Sequence, residues 1–188
     1  MMDKETLSAT PSGSLLEKWL GPLLVYSLAI SFFRLDQWSK QFIALHYNLY
    51  ESHPILSPWL YFTHVRNDGA AFSTFKGQMV WLSVIAIIVS LGIIWYERHL
   101  PSRRPSLISV SLGFLLGGAL GNLLDRLSLQ YVIDFIDLHY HGRNIWPIFN
   151  VADMCINMGV GLLILYFILY PEKNKNQDTN KQQQASQP

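Results

Sequence analysis

Long apolar stretches separated by short polar connections dominate the pattern of the chain. Two of these stretches, Met79 to Tyr96 and Ser106 to Leu124, contain no charged residue, and a third, Ile148 to Tyr170, contains only the acid Asp153. A helix needs roughly 20 mostly apolar residues to cross about 30 Å of hydrocarbon. Each of the three stretches therefore predicts a transmembrane helix.

A fourth stretch, from Trp19 to about Leu45, is apolar in its first half and carries Arg34, Asp36 and Lys40 in its second. Four such segments leave too little polar chain to enclose them as a water-soluble core. The sequence therefore predicts an all-α membrane protein with four transmembrane helices.

The connection from about residue 46 to 77 is rich in Tyr, Phe, Trp and Thr, and polar and apolar residues alternate from Tyr61 to Arg66. Alternation with this composition is typical of a strand. We expect a small β-containing region here, outside the cytoplasm and at the membrane surface.

The basic residues predict the orientation and the ends of the membrane domain. With both termini in the cytoplasm, eight Lys and Arg residues lie in cytoplasmic segments and four in the outer loops, as the positive-inside rule favours. The domain spans residues 15–171, between a polar N-terminal extension (1–14) and a polar tail (172–188) that we expect to be disordered. No small-residue cleavage site follows the first apolar stretch, which disfavours a cleaved signal peptide.

Composition narrows the class of protein further. Half of the residues are hydrophobic and 14% are charged, against about 25% charged residues in soluble domains. Cys155 is the only cysteine, which excludes an intrachain disulfide and cysteine-based zinc sites. The net charge of +1 gives no footprint for nucleic acid. Zinc-peptidase and serine-nucleophile motifs are absent from the sequence, and we expect neither metal nor cofactor.

The polar residues within and beside the apolar stretches share one location. In the predicted orientation they all lie at the outer membrane face. Those within the helices recur at spacings of three or four residues and so share helix faces, whereas Asp134 and Asp137 lie in the loop before the fourth apolar stretch. We expect them to point into the bundle, where glycines at every fourth position allow close helix packing. The polar residues are Asp36, Lys40, Asn122, Asp125, Arg126, Asp134, Asp137, Asn150 and Asp153, and the glycines are Gly113, Gly117 and Gly121.

Such residues could instead snorkel to the interface and cap helices. That interpretation explains the position of Asp153 poorly, because this acid lies at least one turn inside an apolar stretch. Two carboxyl groups that share a site hold one proton between them. One can then activate water while the other donates a hydrogen bond to a carbonyl. The residues are compatible with this aspartyl-protease chemistry, although spacing alone does not identify the pair.

Five sequence blocks, in order, resemble the signature of the lipoprotein signal peptidases, the bacterial type II signal peptidases. They correspond to DQxTK, NxGAAF, GGxxGNxxDR, VVDF and FNxAD in that family. In this chain they read Asp36-Gln37-Trp38-Ser39-Lys40, Asn67-Asp68-Gly69-Ala70-Ala71-Phe72, Gly117 to Arg126, Val132-Ile133-Asp134-Phe135 and Phe149-Asn150-Val151-Ala152-Asp153.

The resemblance implies an intramembrane aspartyl endopeptidase of the bacterial inner membrane, with its site at the outer face. Its substrate is a prolipoprotein, cleaved just before a cysteine that carries diacylglycerol, and membrane lipid is its other partner. By motif position Asp134 and Asp153 are the catalytic pair. The substrate-binding or supporting residues that carry over are Asp36, Lys40, Asn67, Gly69, Asn122, Asp125, Arg126 and Asn150. One chain holds the whole site, so we expect a monomer.

Two departures and two alternatives accompany this interpretation. Ser39 replaces a more frequent Thr, and Tyr131 occupies a position where a small residue is common, so we expect Tyr131 to narrow the approach to Asp134. A small proton- or ion-coupled carrier would also use intramembrane carboxylates, but it predicts acids throughout the membrane depth, and the inner halves of the predicted helices lack them. A structural subunit that docks through the polar cluster is the other alternative.

Overall fold

The computed structural model describes residues 17–69, 79–100 and 106–171. Several predictions fall outside these ranges: the polar extensions 1–14 and 172–188, and residues 70–77 of the predicted outer connection, which include residues 70–72 of the Asn67 block.

Four helices form the body of the protein. They are α1 (Glu17–His46), α2 (Met79–Arg98), α3 (Leu107–Leu129) and α4 (Val151–Leu169). Within the described ranges, α2, α3 and α4 are long and apolar enough to cross a membrane. The longest helix, α1, is not among them, because five charged residues interrupt its 30 positions. Three of the four predicted spans are therefore supported by length and composition, and the fourth remains a prediction.

Helix α3 lies at the centre, packed between α1 and α4, and small residues allow the close approach. A Cβ added at Gly117 would lie 2.8 Å from the backbone oxygen of Ala29 in α1, and one at Gly118 would lie 2.5 Å from that of Ala152 in α4. The predicted glycine surface is thus present, and it serves two neighbouring helices. Cys155 is buried beside Gly118, as a packing residue would be.

The outward faces of the helices are apolar. Large hydrophobic side chains such as Trp81, Ile88 and Ile168 are more than 60% exposed. Exposed apolar surface on this scale indicates contact with another apolar phase, which for helices of this length is the lipid of a membrane.

Four antiparallel strands form one sheet in the order β1-β2-β3-β4: β1 (Ser52–Leu56), β2 (Leu60–Asn67), β3 (Val132–Tyr140) and β4 (Arg143–Asn144). The predicted hairpin is β1–β2. Asp134 and Asp137 do not lie in a loop as predicted, because both belong to the nine-residue strand β3. The predicted β-containing region is confirmed, and it extends beyond the first loop, because β3 pairs with β2 and combines both loops into one sheet.

The ends of the helices remote from the sheet are not free of acids. Glu97, near the end of α2, is 4% exposed and accepts a hydrogen bond from the Tyr26 hydroxyl of α1 at 3.2 Å. This contact ties α2 to α1 at the end of the bundle remote from the sheet. The prediction that the inner halves of the helices lack acids was therefore wrong. It considered only acids within the apolar stretches, and Glu97 lies just beyond the stretch that ends at Tyr96.

Candidate active site

Strand β3 brings Asp134 to the start of α4. Val65 of β2 pairs with Asp134, and Phe149, just before α4, forms a bridge with Ile136 two residues further along β3. Asp134 is consequently held between the sheet and the N-terminus of α4, and it is 2% exposed. This placement depends on strand pairing between residues distant in sequence, Val65 and Asp134.

Two amide side chains hold Asp134 from opposite sides. Asn67 Nδ2 donates to Asp134 Oδ2 at 2.8 Å, and Asn150 Nδ2 donates to Asp134 Oδ1 at 2.6 Å. The backbone N–H of Gly69 donates to Asn67 Oδ1 at 2.9 Å, which turns the amino group of Asn67 towards the carboxyl group. Asp134 is therefore fixed in position before any substrate binds.

Asp153 lies in the first turn of α4. Asn150 caps this helix: its Oδ1 accepts from Asp153 N at 3.0 Å, while Asp153 Oδ2 accepts from Asn150 N at 3.2 Å. This reciprocal capping box fixes both residues. Asp153 Oδ1 accepts a third hydrogen bond, from Asn122 Nδ2 of α3 at 2.8 Å. Negative charge is also favoured near a helix N-terminus.

Asn122 and Asn150 connect the two aspartates. Asn150 Nδ2 donates to Asn122 Oδ1 at 3.1 Å, so the two amides touch each other as well as one aspartate each. Asn122 and Asn150 are 3% and 0% exposed, respectively. Asp134 and Asp153 thus belong to one continuous buried network.

Lys40 supports this network from α1. Its ammonium group lies 2.8 Å from Asp36 Oδ2 and 3.0 Å from Asp125 Oδ2, and it donates to Asn122 Oδ1 at 2.9 Å. Its side chain is 2% exposed, so the positive charge is stabilised by these contacts rather than by solvent. The predicted i,i+4 pair of Asp36 and Lys40 is present, and Asp125 joins it from a second helix.

The supporting acids also bind backbone groups of the elements that carry the aspartates. Asp36 Oδ1 accepts from Ala152 N of α4 at 2.8 Å, and Asp125 Oδ2 accepts from Ile133 N of β3 at 3.2 Å. Each acid therefore anchors the residue directly before one member of the pair: Ala152 precedes Asp153, and Ile133 precedes Asp134.

Gln37 is a residue that the sequence analysis missed. Its Nε2 lies within 3.1 Å of three acceptors, Asp36 Oδ2, Asp125 Oδ1 and the carbonyl of Gly121. It occupies the second position of the DQxTK-like block, and that position was the available signal. Gln37 cross-links α1 to α3 beside Lys40.

A cavity of about 500 Å³ opens onto both aspartates. Arg126 lines it, and the buried Arg126 Nε has no hydrogen-bond partner within the described ranges. The remaining wall is largely apolar. The polar residues that line the cavity are Asn67, Asn122, Arg126, Asp134, Asp153 and Asn157, and the apolar ones include Val132, Leu138, Trp146, Phe149 and Ile156.

Burial changes the acidity of Asp134. Loss of solvation, followed by the nearby charge of Asp153, raises the pKa of Asp134 to about 7, although the hydrogen bonds from Asn67 and Asn150 oppose the shift. Two carboxyl groups in one cavity with a pKa near neutrality can divide acid and base roles. Within the described ranges, His, Cys, Asp and Glu form no group of three or more suited to hold a metal ion.

All ten predicted site residues lie in this region of the fold. Nine contact one another directly in the network described above, and Arg126 lines the same cavity. Asp137, which the sequence grouped with them, instead faces Thr63 and Asn144 on the sheet, with contacts of 2.8 and 2.6 Å.

Comparison with known proteins finds similarity in sequence and in structure. Residues 28–169 match the family model of signal peptidase (SPase) II. The lipoprotein signal peptidase of Anoxybacillus flavithermus is 40% identical over 149 residues, which cover 79% of this chain and 87% of that protein. That of Geobacillus kaustophilus is 43% identical over 151 residues, covering 79% and 96%.

A solved structure of a bacterial membrane enzyme, determined by the in meso method at 2.3 Å resolution, superimposes with a TM-score of 0.71 at 30% identity. The superposition covers 78% of this chain and 90% of that one. Together with the family match, the apolar helices and the buried polar site beneath a small sheet define a membrane-embedded peptidase. The chain belongs to the signal peptidase II family.

Proposed function

We propose that this protein is an intramembrane aspartyl endopeptidase that removes the signal peptide from diacylglyceryl-modified prolipoproteins, cleaving just before the lipidated cysteine. The observation that carries the proposal is the convergence of Asp134 and Asp153 on one cavity, where Asn122 and Asn150 join them. Similarity to proteins named lipoprotein signal peptidases supports the choice of substrate.

In the proposed reaction the pair carries one proton. Asp134, whose pKa of about 7 keeps it largely protonated in mildly acidic solution and about half protonated at pH 7, donates a hydrogen bond to the scissile carbonyl. Asp153 accepts a proton from a water molecule as that water attacks the carbonyl carbon. The resulting tetrahedral intermediate collapses with breakage of the C–N bond. The leaving amine takes up a proton from the pair, and the products are a free carboxylate and a free amino group.

The other site residues hold the pair and receive the substrate. Asn67, which Gly69 orients, fixes Asp134, and Asn122 fixes Asp153. Arg126 offers a buried N–H, without a partner among the described residues, to a substrate carbonyl or to the charge that develops on it. Asp36, Lys40 and Asp125 have a structural role, because their ion pairs hold α1 and α3 together beside the site.

The substrate class agrees with the surroundings of the cavity. A diacylglyceryl group and an apolar signal helix both lie in the bilayer, and the apolar surface of the helices faces the same phase. Cleavage needs water at the carboxyl groups and lipid at the cysteine, so we place the pair at the outer face of the bacterial inner membrane. The same proposal includes four spans, both termini in the cytoplasm, a peptidase domain over residues 15–171 and a monomeric enzyme.

A cleavage assay with purified protein in detergent tests the proposal. The substrates are a diacylglyceryl-modified prolipoprotein and the same chain without lipid, and the variants are Asp134→Asn and Asp153→Asn. Asp137→Asn is the matched control, because Asp137 is a buried acid in the same strand as Asp134 but does not line the cavity. We expect cleavage of the lipidated substrate alone, by the wild type and Asp137→Asn. Full activity of either cavity variant would overturn the role of that aspartate, and a well-folded but inactive wild type would overturn the function.

A further inference from the structure

Asn157 is a polar side chain that the motifs do not include. It lies on α4 four residues after Asp153, so the two residues share a helix face. Both line the cavity, together with Ile156. The next helix position, Met158, is also exposed but does not line the cavity.

The carboxamide of Asn157 is exposed and unused. Within residues 17–69, 79–100 and 106–171, it makes no hydrogen bond, whereas Asn67, Asn122 and Asn150 are all engaged. Polar side chains inside transmembrane segments are costly and mark the paths of substrates. An amide supplies two donors and an acceptor, so Asn157 has hydrogen-bonding capacity directed at the space where a substrate lies.

The position of Asn157 along α4 indicates which part of a substrate it meets. Four residues of helix correspond to about 6 Å, and α4 runs from the catalytic end into the apolar bundle. Asn157 therefore lies about 6 Å deeper than Asp153. In a prolipoprotein, the signal peptide precedes the scissile bond and occupies the membrane. A distance of 6 Å corresponds to about two residues of extended chain or four of helix.

A peptide bond must leave the helical conformation before water can attack its carbonyl carbon, and the neighbouring backbone groups then lose their intrahelical partners. In the bilayer these N–H and C=O groups require others. We propose that Asn157 binds the backbone of the signal peptide two to four residues before the scissile bond. The inference rests on the proposed function, and it makes Asn157 a substrate-binding residue that favours the unwound substrate.

The test combines variants of Asn157 with synthetic diacylglyceryl lipopeptides. In each lipopeptide, one amide upstream of the scissile bond is replaced by an ester, which removes the N–H donor and weakens the carbonyl as an acceptor. The enzymes are wild type, Asn157→Leu, which keeps a similar size, and the control Met158→Leu. We expect Asn157→Leu to lower kcat/KM for the all-amide substrate about five- to tenfold, the equivalent of one hydrogen bond.

We further expect that an ester at one of the positions two to four residues before the scissile bond lowers kcat/KM of the wild type and of Met158→Leu. The loss should be similar to the five- to tenfold loss that Asn157→Leu shows with the all-amide substrate. The same ester should cause no further loss in Asn157→Leu. Equal activity of Asn157→Leu and wild type, or losses that add at every position, would overturn the inference. The wild type with the all-amide lipopeptide is the reference: its failure to cleave would overturn the proposed function itself.

Discussion

The side-chain amide of Asn150 donates to Asp134 while its carbonyl oxygen caps the helix that carries Asp153. One residue thereby couples the strand and the helix that hold the proposed pair. This coupling explains how two acids from separate elements can be fixed without a direct bond between them.

Replacement of Asn150 separates its two roles. Asn150→Ser retains a good N-cap but loses the amino group that reaches Asp134 and Asn122, so we expect kcat to fall by about tenfold or more, with a loss of about 1 to 3 kcal/mol of stability from the acceptors left unpaired. Asn150→Ala also loses the cap and should in addition lose about 1 kcal/mol of stability. Cleavage rates and thermal unfolding in detergent check both. Equal stability of the Ser and Ala variants would contradict the capping role.

Removal of the charge at Lys40 should unfold the centre of the bundle. Lys40→Met leaves Asp36 and Asp125 buried without their cation, and breaking a buried pair on one side costs about 3 to 5 kcal/mol. Thermal unfolding should show a large loss. Adding Asp36→Asn and Asp125→Asn removes the uncompensated charges and should restore much of the loss. A Lys40→Met variant as stable as wild type would contradict this assignment.

The pKa of Asp134 predicts a pH dependence of stability. Because burial raises this pKa to about 7, folding binds a proton. The stabilisation from Asp134 is fully present below about pH 4, decreases as pH rises, and is lost above about pH 7, a total of about 4 kcal/mol at most. Asp134→Asn should flatten the dependence of the melting temperature on pH between 4 and 7. This flattening is expected whether or not the substitution also shifts the melting temperature equally at every pH. An unchanged slope would contradict the raised pKa.

The pH dependence of catalysis should reveal the titration of the same carboxyl group. If Asp134 supplies the proton of the pair, kcat/KM decreases as pH rises through about 7, because the acid form disappears. The profile should be measured with a lipopeptide whose charge is constant over this range. A rate that stays level up to pH 9 would show that Asp134 does not act as the acid.

Close packing of α3 on α4 leaves no room for a methyl group at Gly118. Gly118→Ala places its Cβ 2.5 Å from the backbone oxygen of Ala152, directly before Asp153, so we expect a loss of about 1 to 3 kcal/mol and impaired cleavage. Gly92→Ala in α2 is the matched control. Nothing lies within 4 Å of its added Cβ, and it should gain roughly 0.5 to 1 kcal/mol of helix stability. Equal effects of the two substitutions would contradict the packing described.

Apolar length predicted the helices, because three of the four are uniform enough for composition alone to identify them. The polar cluster was also predictable, because i,i+3 and i,i+4 spacings fix helix faces. Strand β3 was not, because its pairing with β2 depends on contacts distant in sequence and its burial hides the alternation expected of a surface strand. For that reason spacing alone could not choose Asp134 over Asp125 as a member of the pair, and the family resemblance made the choice.

The most direct measurement of the central claim compares Asp134→Asn, Asp153→Asn and the double variant in cleavage of a diacylglyceryl prolipoprotein. Residues that act as one catalytic unit give strongly non-additive losses. We predict that each single variant loses nearly all activity and that the double variant is no slower than either. Two moderate losses that multiply in the double variant would contradict the account of one shared site.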